Sequence, residues 1–385
     1  MNRDHHQTSG VVNHYDTEDC SIVRFQGVPP ELVYLVPGLM PLGTAGTLYG
    51  TGGTGKSILA LNLAIQVASA HRIQSKWLGT FPIEIGGLVA YFSAEDSEDE
   101  LHRRVYGLCG AIGEIAGISC SQVQEICKDN LRLVNLWGTG STLFKPNTLE
   151  PTTENRRIKQ TLDSLNKRGS VRLIVFDTRS ILSGVEGSGN AAVSKEVTYY
   201  QRLAHDYHAT VLIIHHTNKA GSGAIAIPAL ASRGEGSFLD GLRFGMCLSN
   251  LPQVNTDITD VSSSISYTCL FPSKLNYGPK MEPFTVGRDG FQFTVVDGLS
   301  PKLPALKKEN RTQKTMDVVF ALVQKNPGLS KGQLIEAAKS SLRISSRQCT
   351  DTLENLERKG LVTYQTIARG AKIYSVIEDA FTAAA

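Results

Sequence analysis

The sequence predicts an α/β protein: a mostly parallel sheet with flanking helices, a late antiparallel meander, and a small C-terminal domain of helices and a hairpin. Three observations carry this expectation. Strand-length apolar runs ending in polar residues alternate with helical stretches as far as Ser249. The alternating patterns SISYTCLF and FQFTVV then mark antiparallel strands. Finally, PKLPALKKENRT, rich in Pro and Lys, separates a C-terminal segment with its own helical periodicity. The expected organisation is a polar tail over 1–30, an α/β domain over 31–300, a linker over 301–312 and a small domain over 313–385.

The first element with chemistry in it is LYGTGGTGKSILALNLAI. Gly50, Thr51, Gly52, Gly53, Thr54, Gly55, Lys56 and Ser57 match the phosphate-loop pattern G-x-x-x-x-G-K-[ST]. A short β-rich run, Gly46 to Tyr49, leads in, and an amphipathic helix pattern leads out. In that context the glycines let backbone N–H groups close round a phosphate, and the helix N-terminus adds partial positive charge. Lys56 is placed to reach the β- and γ-phosphates and Ser57 to hold Mg²⁺. A nucleoside triphosphate is the expected ligand.

Residues 71–86 read as a loop anchored by Trp77 and Phe81. Leu88 to Phe92 is a buried-strand run ending in Ser93-Ala94-Glu95-Asp96, and in open parallel sheets the chemistry gathers at the carboxyl ends of strands. By sequence the two acids fit a solvated helix start equally well. Ser97 is a candidate N-cap, with Glu100 at the capping-box position. Helical and strand pieces follow, the latter over 131–137, and then a helix over 154–169. VRLIVFDT, 171–178, is a second buried strand ending in Asp177, where a carboxylate holds Mg²⁺ through its water shell. SGVEGSGNAAVS, 183–194, reads as a Gly/Ser-rich loop before a helix. TVLIIHHTNKAG is a third strand, ending in His215-His216, and a second Gly/Ala-rich loop spans 220–231. Arg233 precedes a further helix, with another strand at 243–249.

In the small domain, TMDVVFALVQKN is a helix ended by Pro327-Gly328. Ser330 caps a second helix and Ser345 or Ser346 a third, whose buried face holds Cys349, Leu353 and Leu356. A strand, an Arg-Gly turn and another strand complete the winged-helix layout. Arg343, Arg347, Arg358, Lys359, Arg369 and Lys372 fall on the third helix and wing, which suits DNA phosphates; Arg347, Arg369 and Lys372 are the candidates chosen. A wing used for protein contact is the other reading.

The bulk numbers bound the rest. Among 385 residues, 41% are hydrophobic and 19% charged, with a net charge of +3, so any basic surface must be local. The seven cysteines form no C-x-x-C pair and no zinc-spaced cluster with histidine. No run is long enough to span a membrane and the N-terminus lacks a signal-peptide apolar core, so a cytoplasmic protein is expected.

Six stretches in order, GTGGTGKS, FSAED, LIVFDT, IIHHTNKA, ASRGEGSFLDGLR and SKLNYG, resemble the RecA-type ATPase core across about residues 31–300. Within it they resemble the RepA-like hexameric replicative helicases. The resemblance implies ATP and Mg²⁺, a homo-oligomeric ring expected as a hexamer, single-stranded DNA in its central channel, and ATP bound between subunits. The implied activity is ATP-driven DNA unwinding in the replication of a plasmid, phage or other mobile element. The alternative is a non-motor ATPase of the same core, a recombination mediator or DNA-bound regulator. Carried over residue by residue, Glu95 looks like the base that orients the attacking water, Asp177 like the Mg²⁺-side acid, and His216, beside His215, like the γ-phosphate sensor. Arg233 resembles an arginine finger supplied to the neighbouring subunit, and Lys274 a second such cation. Ring helicases more widely have Lys-x-Arg where this chain has Lys274-Leu275-Asn276. The RepA-like group shares the Asn, which puts the finger role on Arg233. The two loops following the ATP-side strands, flanked by Lys195 and Lys219, are candidates for the DNA-contacting loops. The winged helix departs from the minimal RepA pattern, and its candidate partners are duplex DNA or a replication protein.

Overall fold

The structure is a computed structural model and describes residues 20–146, 148–185, 189–217, 236–250, 265–296, 307–342, 344–358, 360–367 and 372–376. The chain divides into two compact units, Met1–Pro301 and Lys302–Ala385.

The first unit opens with an antiparallel pair, β1 (Tyr34–Val36) and β2 (Met40–Pro41), ahead of β3 (Ala45–Gly50), the phosphate loop and α1 (Lys56–Ser69). Every residue of α1 except Ser57 is buried, so it is a central helix and not the surface amphipathic one expected. Its polar stripe is satisfied internally, Gln66 Nε2 donating to Asn62 Oδ1 and Ser69 Oγ to the Gln66 carbonyl. β4 (Lys76–Trp77) and β5 (Phe81–Pro82) make a minimal hairpin where a loop was expected, with Trp77 buried as its anchor. β6 (Leu88–Ser93) leads to α2 (Glu98–Ala116). Ser97 Oγ accepts the Glu100 N–H, but the Glu100 carboxylate pairs with Arg103 and Arg104 instead of closing a capping box. Then come α3 (Cys120–Cys127), β7 (Leu131–Asn135), α4 (Thr153–Asn166), β8 (Val171–Asp177), α5 (Arg179–Leu182) and α6 (Asn190–Asp206). Because α6 starts at Asn190, residues 190–194 are helical and not part of the expected loop; Asn-Ala-Ala-Val holds no further glycine to break the turn. β9 (Thr210–His216), α7 (Gly236–Gly241), β10 (Phe244–Asn250), β11 (Ser266–Leu275), β12 (Phe284–Asp289) and β13 (Gln292–Val295) complete the unit.

Nine of these strands form one sheet, in the order β13-β12-β11-β10-β3-β9-β8-β6-β7. The six from β10 to β7 run parallel, and β11, β12 and β13 extend it as an antiparallel meander. This is the RecA-like arrangement. Period-two alternation divides the sheet between two apolar cores. On β8, Leu173 and Val175 face the core built with α1, α2 and α3, while Ile174 and Phe176 face the one built with α4 and α6. Phe92 stacks on Phe176 in the second core, and Tyr200 meets Phe176 at a tilt, with centroid separations of 5.4 and 5.1 Å. Both faces are covered, so the parallel strands read as unbroken apolar runs. No helix of the described residues is long and apolar enough to cross a membrane.

The second unit contains α8 (Lys307–Lys325), α9 (Lys331–Leu342), α10 (Ser346–Arg358) and the antiparallel pair β14 (Val362–Thr366) and β15 (Lys372–Val376). α8 begins at Lys307, so the second half of the segment read as a linker is helical; its lysines and glutamate are good helix formers. Ser330 and Ser345 Oγ each accept from the N–H three residues on, and each serine's own N–H donates to the Oε1 of that glutamine, Gln333 or Gln348. Val319, Val323, Leu334, Cys349, Leu353 and Leu356 make the core, closed by Val362 and Tyr374 of the hairpin.

Candidate functional site

Strand register builds the site. Gly50 on β3 lies opposite His216 on β9, Phe176 on β8 opposite Ile213 on β9, and Ser93 on β6 opposite Asp177 on β8. The carboxyl ends of four adjacent parallel strands therefore finish along one edge, and the phosphate loop arches from the first of them. Gly50 and Gly55 show why the loop needs glycine. A Cβ on Gly50 would sit 2.1 Å from the Leu248 carbonyl oxygen, and Gly55, which caps α1, has φ of +87°.

Within the loop, Lys56 is buried and its Nζ donates to the Thr51 carbonyl at 2.8 Å. Burial pushes its pKa down to about 8, against the pull of Glu95 and Asp177. Ser57 Oγ donates to Asp177 Oδ1 at 2.9 Å, across the intervening strand β9. Tyr91 Oη, on β6, donates to the other oxygen, Oδ2, at 2.6 Å. Burial raises the Asp177 pKa to about 6. The two hydrogen bonds work against that shift, while the charges of Glu95 and Asp96 add to it. A hydroxyl bonded to a buried carboxylate is a hard-oxygen pair, and the buried Ser93 Oγ opposite Asp177 has no partner among the described residues. These residues fit Mg²⁺, which Ser57 and Asp177 would hold and which would polarise a phosphoryl oxygen.

The two acids after β6 separate in their surroundings. Glu95 Oε2 lies 3.0 Å from His216 Nε2. That hydrogen bond is the main cause holding the Glu95 carboxyl below the usual range, with the charges of Lys56 and Arg104 helping and burial opposing. Asp96 turns the other way and forms an ion pair with Arg104, while its main-chain oxygen accepts from Asn135. Burial raises its pKa despite that arginine. Of the two, only Glu95 shares the nucleotide edge with Lys56, Asp177 and His216.

The remaining sequence-derived residues are not gathered there. Arg233 and Lys219 lie outside the described residues, as do Arg343, Lys359 and Arg369. Lys195 is exposed on the second turn of α6. Lys274 Nζ donates to its own chain, at 3.1 Å to the Leu239 and 2.6 Å to the Asp240 carbonyl, closing the end of α7. In the second unit Arg347 is exposed at the start of α10, and Lys372 Nζ sits 3.6 Å from the centroid of the Tyr364 ring.

Sequence reasoning missed three groups. Tyr91 carried a signal: a phenol inside a fully buried strand must find a partner for its hydroxyl. The buried ion pair of Arg179 with Glu196 (Nη2 to Oε2, 2.9 Å), roofed by the Phe238 ring at 3.9 Å, carried none. Nor did Arg288, which reaches the phosphate loop from the meander.

A phosphate loop whose serine is bonded to a strand-end aspartate, at the carboxyl edge of a RecA-like sheet, defines the class: a P-loop ATPase. The chain belongs to the AAA domain family, whose model matches residues 13–222. Among solved structures it is similar to an ATPase domain, with 13% identity and a TM-score of 0.45 over 66% of this chain and 85% of that one. It is also similar to a KaiC-like protein from the hyperthermophilic archaeon Pyrococcus horikoshii OT3, with 15% identity and a TM-score of 0.43 over 70% and 100%.

Proposed function

We propose that this ATPase is a ring-forming DNA helicase, expected as a hexamer, that translocates on single-stranded DNA in the replication of a plasmid, phage or other mobile element. The observation that carries the reading is the Glu95–His216 hydrogen bond. Glu95, held ionised, orients a water for attack on the γ-phosphate and accepts its proton. His216 touches Glu95 and ends β9, two residues before the segment 218–235, whose sequence holds Lys219 and Arg233. A change at the γ-phosphate therefore has a direct covalent path into a segment suited to contacting DNA and the next subunit. Arg233 is the finger supplied to the neighbour's ATP. Lys274 is the second cation, and to serve a neighbour it must exchange the carbonyls of Leu239 and Asp240 for phosphate oxygens.

The test is strand displacement on a forked substrate with ATP, alongside ATPase rates with and without single-stranded DNA. Unwinding and DNA-stimulated hydrolysis are expected; their joint absence defeats the motor reading. Arg233→Ala should abolish hydrolysis with ATP affinity nearly intact, and mixing it with Lys56→Ala subunits should restore part of the activity. The second reading, a non-motor DNA-bound regulator, is favoured by the exposed Arg347 at the head of α10. It gains if the protein binds duplex DNA with sequence preference and opens none.

A further inference from the structure

The β12–β13 hairpin brings a cation to the phosphate loop. Arg288, near the end of β12, is half-buried, and a methyl group built on Gly55 would lie 3.9 Å from its Nη1. The hairpin is locked in that position. Phe291 covers Gly107 of α2 so closely that a Cβ there would meet its ring at 2.3 Å, and Gln292 Nε2 donates to Glu114 Oε2 at 2.9 Å. Arg288 Nε donates to the Gly290 carbonyl at 2.8 Å, which sets the plane of the guanidinium, and the Phe293 ring centroid lies 5.7 Å from its central carbon. Among the described residues its other N–H groups have no hydrogen-bond partner, and no carboxylate pairs with it.

Its neighbour makes this conspicuous. Arg104 is satisfied by Asp96 and Glu100. Arg288 has no such anion among the described residues, and burial followed by the charge of Arg104 pulls its pKa down. A half-buried guanidinium beside another guanidinium costs free energy until an anion arrives, and a planar fork of donors suits phosphate oxygens. The anion that the loop and the N-terminus of α1 are built to receive is a nucleotide polyphosphate.

We propose that Arg288 is a nucleotide-contacting residue, a guanidinium delivered in cis by the meander to the polyphosphate held by Gly55 and Lys56. The inference rests on the nucleotide-binding reading of the loop. It differs in kind from the finger proposed for Arg233: Arg288 belongs to the subunit that owns the loop and is in place before hydrolysis. It stabilises bound substrate and transition state alike, so it acts more on KM than on kcat.

The test is calorimetric titration of the full-length protein with ATP and with ADP. Arg288→Met keeps the aliphatic stem and removes the charge; Arg288→Gln is the second variant, and Lys56→Ala the reference. Both Arg288 variants are expected to bind ATP and ADP at least tenfold more weakly than the wild type. In steady state KM should rise by more than kcat falls. If either folded variant binds ATP within twofold of wild type, while Lys56→Ala does not, the inference is overturned and Arg288 is a strut for the hairpin. If Lys56→Ala also binds as wild type, the phosphate-loop reading itself has failed.

Discussion

Asp177 meets two opposed demands. It must be ionised to hold a divalent cation, yet it is buried at the end of β8, with its pKa raised to about 6. A carboxyl whose folded pKa lies above its unfolded value of about 3.9 favours folding in its protonated form. That contribution is fully present below the unfolded pKa and is lost as pH rises through about 6. Replacing Asp177 with Asn should therefore stabilise the nucleotide-free protein at pH 7, by about 1–3 kcal/mol. The gain should shrink toward pH 4, as the wild-type group protonates, and Mg²⁺-dependent hydrolysis should disappear. Thermal melts of both proteins across that range check the sign; a variant less stable at pH 7 refutes it. Glu95 behaves oppositely, its pKa lowered chiefly by the His216 hydrogen bond. Glu95→Gln should bind ATP as well as wild type and hydrolyse it at least a hundredfold more slowly, since general-base catalysis contributes about 10²–10⁴. Rapid-quench measurement of single turnovers separates the two steps, and a lost affinity would place Glu95 in binding instead.

At the scale of elements, the strands were legible because each is buried on both faces and reads as an apolar run. The stretches Leu88 to Phe92, VRLIVFDT and TVLIIHHTNKAG hold β6 (Leu88–Ser93), β8 (Val171–Asp177) and β9 (Thr210–His216). The strand-end residues were legible with them, since a run that stops at Asp177 or His216 places that side chain at the sheet edge. α1 misled because Asn62, Gln66 and Ser69 fall on one stripe and read as a solvated face, whereas they are buried and bonded to one another. What stayed illegible is pairing across long separations. Nothing in the spacing of Glu95 and Asp96 says that one turns to His216 and the other to Arg104. Nor does the sequence say that Arg179, immediately after β8 and Thr178, is bonded to Glu196 of α6 beneath Phe238 of α7. That pair fixes the roots of both segments proposed to contact DNA, since 183–189 joins α5 to α6 and 218–235 leads into α7. With side-chain exposures of 2% and 0% it is fully desolvated, so removing one partner strands a buried charge. Arg179→Met alone should cost about 3–5 kcal/mol. The double replacement with Glu196→Leu should cost markedly less, because both charges leave together. Urea melts of the four proteins in the cycle measure the coupling, and additive single costs would show that the pair is not a unit.

Across the whole molecule the question is what the second unit adds to the ATPase. The net charge of +3 gives no general attraction to nucleic acid, so any affinity for it must come from a few placed cations. In the second unit, Arg347 is exposed at the first turn of α10, and Lys372 is held over Tyr364 at the start of β15, with Arg369 close by in sequence. If these are phosphate contacts, each one removed should reduce the slope of log K against log salt by about 0.9 on duplex DNA. Arg347→Gln combined with Lys372→Gln should then weaken duplex binding and flatten that slope by about 1.5–2. Hydrolysis stimulated by single-stranded DNA should survive if, as proposed, that response belongs to the segments around β9 in the first unit. Fluorescence anisotropy with a labelled duplex at a series of salt concentrations, paired with ATPase assays on an unlabelled single strand, separates the two. Unchanged salt dependence would mean that neither Arg347 nor Lys372 contacts a phosphate. Loss of single-strand stimulation together with duplex binding would mean that Arg347 and Lys372 also act in the response of the ATPase to DNA, and that they are not duplex contacts alone.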